Sequence, residues 1–201
     1  MKLKKLVSAA SVAAVCASAM VSPAQAEVEH YVLDPAHTET LFFISHLGFS
    51  NMPGRFAELE GEFHYDKDNI PASKVTVTVK TGSVDTFHEK RDKHLASPDF
   101  FNAAEFPEMT FTSTSIEMTG DKTAKMTGDL TLLGVTKPLT LDVTFNREGL
   151  HTFNKKDHVA GFSATGSFKR TDFGMGFGMP GKPGGIGDEV ELRIEAEGIR
   201  Q

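Results

Sequence analysis

The chain of 201 residues carries 21 Lys and Arg against 27 Asp and Glu, for a formal net charge of −6. That acidic balance argues against nucleic acid and anionic membrane surfaces as partners. A single cysteine, Cys16, excludes a disulfide framework within the chain and any multi-cysteine metal site or cluster.

Lys2, Lys4 and Lys5 precede an uncharged stretch from Leu6 to Val21 and then Ala24-Gln25-Ala26, a small-x-small pattern. These features predict a secretory signal peptide over residues 1–26 and one domain over residues 27–201. Beyond the leader, 175 residues remain, with no cysteine and charges of 18 against 27, or −9. A chain of that length can bury one large core or one barrel and must be held by it.

His30–Leu33 reads as a short strand ended by Asp34-Pro35. Thr38–His46 follows, and its run Leu41, Phe42, Phe43 and Ile44 predicts cover on both faces. Gly48–Gly54, with Pro53, is predicted as a turn. Arg55–Tyr65 alternates Leu59, Gly61, Phe63 and Tyr65 against Glu58, Glu60, Glu62 and His64, a strand with one greasy and one wet face. Val75, Val77 and Val79 continue the period of two.

Between Ser83 and Pro107 the period breaks. Thr86-Phe87-His88-Glu89 fits a capping box, which predicts a short helix over about Phe87–Ala96. Phe87, Leu95, Phe100, Phe101 and Phe106 make this insert greasy on one side, and such a side needs the open end or flank of a sheet to cover. Strands resume at Glu108–Glu117 and pass through a hairpin over Met126–Asn146, whose halves alternate Leu130 and Leu132, then Leu139, Leu141 and Val143, against Thr and Asp. They continue at Val159–Lys169 and Glu189–Glu197. Roughly eight or nine short-linked strands predict an all-β sandwich or barrel. Phe173–Asp188, rich in glycine with Phe173, Met175, Phe177 and Met179, reads as an adaptable apolar lip.

Chemistry-bearing motifs are sparse. Gly176-x-x-x-x-Gly181-Lys182 approaches a phosphate-binding loop, but Pro183 and a strand follow where Ser or Thr and a helix are needed. His88 and Asp92 share a helix face while His94 points elsewhere, so a solvated polar face accounts for them better than a metal. Glu58, Glu60 and Glu62 form a carboxylate row of the kind solvent tolerates. The residues supply no catalytic constellation, no cofactor motif and no metal ligand set. Sixteen Phe against two Tyr and no Trp suit a packed core and a cavity lining equally well.

Several motifs together resemble one family. Tyr31-x-Leu33-Asp34-x-x-His37-Thr38, Phe42-x-Ile44-x-His46-Leu47-Gly48, Gly54-Arg55-Phe56, Arg91-Asp92-x-His94-Leu95, Phe106-Pro107-x-Met109-Thr110-Phe111, Gly128-x-Leu130-Thr131-Leu132 and Asp172-Phe173-Gly174 are similar to those of the YceI-like polyisoprenoid-binding periplasmic proteins. Thr38 and Lys137 depart from the commoner Ser and Arg. The resemblance implies an extended, lipocalin-like antiparallel barrel of about eight strands with a short helical insert. It also implies a periplasmic location, a polyisoprenoid or other long-chain lipid inside, and no enzymatic activity.

Lining candidates on this reading are Phe42, Ile44 and His46, which the family pattern turns inward, with Phe56, Phe111, Leu130 and Leu132 along the wall. Phe87, Leu95 and Phe100 of the insert and Phe173 and Phe177 of the lip would gate the mouth. Apolar side chains there would fit a homodimer contact as well as transient membrane docking. The competing reading is an enzyme or redox partner acting on an isoprenoid quinone head group, with His46 as acid or donor.

Overall fold

Leu133 and Gly134 both adopt positive φ, 53° and 72°, and reverse the chain in two residues between β8 (Thr123–Leu132) and β9 (Val135–Leu150). Such a turn matches the right-handed twist of its strands and fixes their register. Leu132 therefore faces Val135 and Leu130 faces Lys137. Period-two burial then follows: Gly128, Leu130, Leu132, Leu139 and Leu141 are buried, while Asp129, Thr140 and Asp142 are exposed.

This computed structural model describes residues 28–178, 182 and 184–201. The leader expected over residues 1–26 and Met179 of the expected lip lie outside them. The remaining elements are β1 (Glu29–Leu33), β2 (Glu39–His46), β3 (Ser50–Phe56), β4 (Leu59–Tyr65), β5 (Lys74–Lys80), β6 (Val84–Asp85), α1 (Glu89–Leu95), β7 (Glu108–Gly120), β10 (His158–Lys169) and β11 (Ile186–Arg200). All pairings are antiparallel, and the sheet closes because β1 and β11 pair.

Eleven strands make an eight-position barrel because three positions are each shared by two collinear pieces. β1 and β2 both pair with β11, at Leu33↔Gly198 and Glu39↔Glu195. β3 with β4, and β5 with β6, continue one another in the same way. The breaks let the wall curve at its corners, and eight strands enclose an interior wide enough for side chains or one slender ligand.

Three local expectations are corrected. Arg55–Tyr65 is not one strand, since Arg55 and Phe56 end β3 and β4 starts at Leu59. Asn51–Gly54 is strand, not turn, because Pro53 sits opposite Phe43 on β3, which beyond β2 pairs only at Arg55 and Phe56; a proline lacks a donor to lose on such an edge. The helix begins at Glu89 with His88 as its cap, its Nδ1 accepting from Arg91 N–H at 3.2 Å. Phe87 has a left-handed φ of 63°, and Thr86 turns instead to Asp92, which accepts from its backbone N–H at 2.8 Å.

Candidate ligand cavity

Side chains on the inner face of every barrel position leave one cavity of about 540 Å³ running along the barrel, a size typical of small-molecule sites. Its lining extends from His46, His94 and Phe177 at one end to Tyr65, Ile116 and Lys122 at the other. Phenylalanine rings do not fill it.

Alternation decides which residues reach it. On β2, Phe42, Ile44 and His46 line the cavity, while Leu41 and Phe43 point outward, Phe43 under the Arg193 guanidinium at 5.5 Å. Phe56, Phe111, Leu130 and Leu132 line the wall, and Leu95 and Phe100 reach the same space from the insert. Met109, Met126, Phe162, Ala164, Phe168 and Leu192 join them without having been named as lining candidates from the sequence. The same period of two marks them, since Phe162, Ala164 and Phe168 share one face of β10.

Phe87 and Phe173 stand elsewhere. Phe87 is 73% exposed, because its backbone swings the ring away before the helix starts. Phe173 is 2% exposed and packs edge-on against Phe168 at 5.4 Å. Its short helical turn, Arg170–Phe173, ends at Gly174 in a left-handed conformation (φ 88°), which folds the ring back into the wall. Arg170 holds this corner: its guanidinium donates to the carbonyls of Gly187 at 2.7 Å and Met175 at 2.9 Å, and burial pushes its pKa below the ordinary value.

At the mouth, the His94 ring meets Phe100 at 5.1 Å and Phe177 at 5.0 Å, both edge-on. Asp99 bonds the His94 Nε2 at 2.8 Å and orients it. Arg91 is anchored by donating to Thr86 Oγ1 at 2.7 Å. His88 and Asp92 are thus occupied as a helix cap and as a partner of Thr86. The His46 ring, on the rim, has no hydrogen-bond partner among the described residues, so no neighbour orients it as an acid or base.

The opposite end carries a charged cluster. Tyr31, fully buried and stacked on Phe63 at 4.8 Å, donates its hydroxyl to Glu29 at 2.7 Å. Glu29 also bonds Arg200 at 2.8 Å and Lys67 at 3.1 Å, and Lys67 reaches Glu148 at 2.5 Å.

The barrel fold is shared with known proteins. The model of the YceI-like domain matches residues 31–198. This chain belongs to the YceI-like family. The YceI protein of Escherichia coli O157:H7 is 43% identical over 187 residues, covering 92% of this chain and 94% of its own. Among solved structures, the Campylobacter jejuni YceI protein is 32% identical with a TM-score of 0.64, over 78% of this chain and 90% of its own. A polyisoprenoid binding domain from Saccharophagus degradans, implicated in plant cell wall breakdown, has a TM-score of 0.61 over 87% of this chain and 100% of its own. At 13% identity the last likeness is one of YceI-like fold alone. Among the described residues no helix is long and apolar enough to cross a membrane.

Proposed function

We propose that the protein holds a long single apolar chain, such as a polyisoprenoid, inside the barrel, and that it does so in the periplasm after removal of residues 1–26. The observation that carries this reading is the unbroken apolar cavity of about 540 Å³ that spans the barrel. The S. degradans neighbour, described as a polyisoprenoid binding domain, supports it.

Length of the ligand follows from magnitudes. Each buried methylene contributes about 0.8 kcal/mol, so ten carbons give roughly 8 kcal/mol, which the roughly 4 to 15 kcal/mol cost of association consumes. A short tail therefore binds poorly. A chain of several isoprene units leaves a surplus, and Leu, Val, Met and Phe make up most of the lining it would meet.

Native mass spectrometry of gently purified protein tests the proposal. The expected result is one co-purified lipid per barrel, lost in Ile44→Arg. Ile44 is half-buried on the cavity wall, so its variant keeps the far-UV circular dichroism of the wild type. A wild type without lipid, or an Ile44→Arg protein that retains it, overturns the reading.

A further inference from the structure

A second site lies on the outside of the barrel, away from the cavity mouth. β1 and β4 are registered so that His30 faces His64 and Val32 faces Glu62. Their neighbours Tyr31 and Phe63 are buried inside, which turns His30, His64 and Glu62 together onto the outer face. The two imidazole rings lie 4.8 Å apart at 16°, and the His30 Nε2 is 2.9 Å from the Glu62 carboxylate. One ligand atom from each of the three residues falls within 4.8 Å of the other two. Side chains of His30 and Glu62 are 38% and 51% exposed.

We propose that His30, His64 and Glu62 bind a borderline divalent transition-metal ion, of which Zn²⁺ and Cu²⁺ are representatives. Two imidazoles and one carboxylate suit such ions and not Ca²⁺ or Mg²⁺, which prefer all-oxygen shells. Histidines facing each other across an antiparallel pair hold their Cβ atoms about 4.5 to 5.5 Å apart. Rotation of the stacked rings then brings two nitrogens onto one ion, with Glu62 as third ligand and water in the open positions. The ladder supplies the rigidity, so little is left to order on binding.

Lys74 faces His64 from β5 and opposes the cation. A second group, Asp34, His37 and Glu197, has only one imidazole, and that ring already bonds Asp34 at 2.6 Å. It offers a poorer set.

Calorimetric titration of untagged, chelator-stripped protein with Zn²⁺ is the test, with Ca²⁺ as control. The expected outcome is one saturable Zn²⁺ site and no Ca²⁺ binding at that site. His30→Ala and His64→Ala should each weaken Zn²⁺ at least tenfold, Lys74→Ala should strengthen it, and His37→Ala should leave it unchanged. These side chains all project from the surface, and circular dichroism and cavity occupancy report that the variants remain folded. Absence of saturable Zn²⁺ uptake, or a His64→Ala protein that binds like the wild type, overturns the proposal.

Discussion

Close approach of rings to backbone is the sharpest constraint at the level of single residues. A methyl group added at Gly128 would stand 2.4 Å from the Phe111 ring and 2.6 Å from the Thr112 carbonyl oxygen, and backbone cannot move aside as a side-chain tip can. Gly54 is covered in the same manner by Phe42, at 2.2 Å. Glycine lets an aromatic ring lie flat on the inner wall, which keeps the cavity open where a larger residue would push the ring into it. Gly128→Ala is expected to lower stability by about 1 to 3 kcal/mol, the usual cost of overpacking, read as a lower urea midpoint with an unchanged slope. An unchanged midpoint would show that Phe111 has free space. Sequence alternation put Gly128 on the inward face. What it did not supply was the ring above it, which belongs to a different strand.

Each secondary element carries its own lesson. β8, β9 and β11 were legible in kind and in inward face, because one face is oily and the other wet and the turn chemistry agrees. Each runs three or four residues past the alternation, β8 starting at Thr123, β9 ending at Leu150 and β11 spanning Ile186–Arg200. The insert was legible in kind but not in detail: Phe87 takes a left-handed backbone that its residue type does not advertise, so the cap falls on His88 and the ring leaves the group it was assigned to. The same gap hid the outer histidines. His64 was visible on a wet face beside Glu62, yet its partner His30 comes from a strand 32 residues before Glu62, and register between strands is not written in either one. At the mouth, the edge-on contact of Phe177 with His94 and its tilted contact with Phe100 at 5.2 Å are each of a kind that contributes about 0.5 to 1.5 kcal/mol beyond burial. If they hold a ligand in, Phe177→Ala is expected to speed release of a fluorescent long-chain fatty acid about tenfold, the equivalent of about 1.4 kcal/mol, measured by stopped flow. An unaltered rate would remove these rings from any gating role.

The whole barrel is fastened unevenly. β10 and β11 run together from Val159 to Lys169, whereas on the other side of β11 the ladder is split, β2 pairing over Glu39–His46 and β1 only from Tyr31 to Leu33. That short seam is reinforced by Glu29, which bonds Arg200 across it. Burial alone would raise the Glu29 pKa, but hydrogen bonds from Tyr31, Lys67 and Arg200 outweigh it and hold the carboxyl below its ordinary value of 4.5. A depressed folded pKa contributes stability that is present above pH 4.5 and drains away as pH falls through the lower folded value. The urea midpoint of the wild type is therefore expected to drop on acidification below about pH 4.5, and Glu29→Gln should show a lower midpoint at pH 7 and a shallower acid decline. Asp34, bonded by His37, and Asp85, bonded by the Phe87 backbone and Arg55, are likewise depressed and contribute to the decline that remains. Parallel curves for the two proteins would detach Glu29 from the seam.

Joining its first strand to its last has a kinetic consequence. Gln201 donates its backbone N–H to the carbonyl of His30 at 3.0 Å, so a chain emerging in order from its N-terminal side cannot complete the ring until β11 arrives. Hairpins such as β8 with β9 are local and can form at once, but the closing contacts have the largest sequence separation in the fold and the highest entropic cost. Until they form, the inner surface faces outward as an unprotected oily sheet. A nascent chain therefore needs shelter along most of its length, and an apolar molecule met at that stage can be wrapped instead of threaded through a finished mouth.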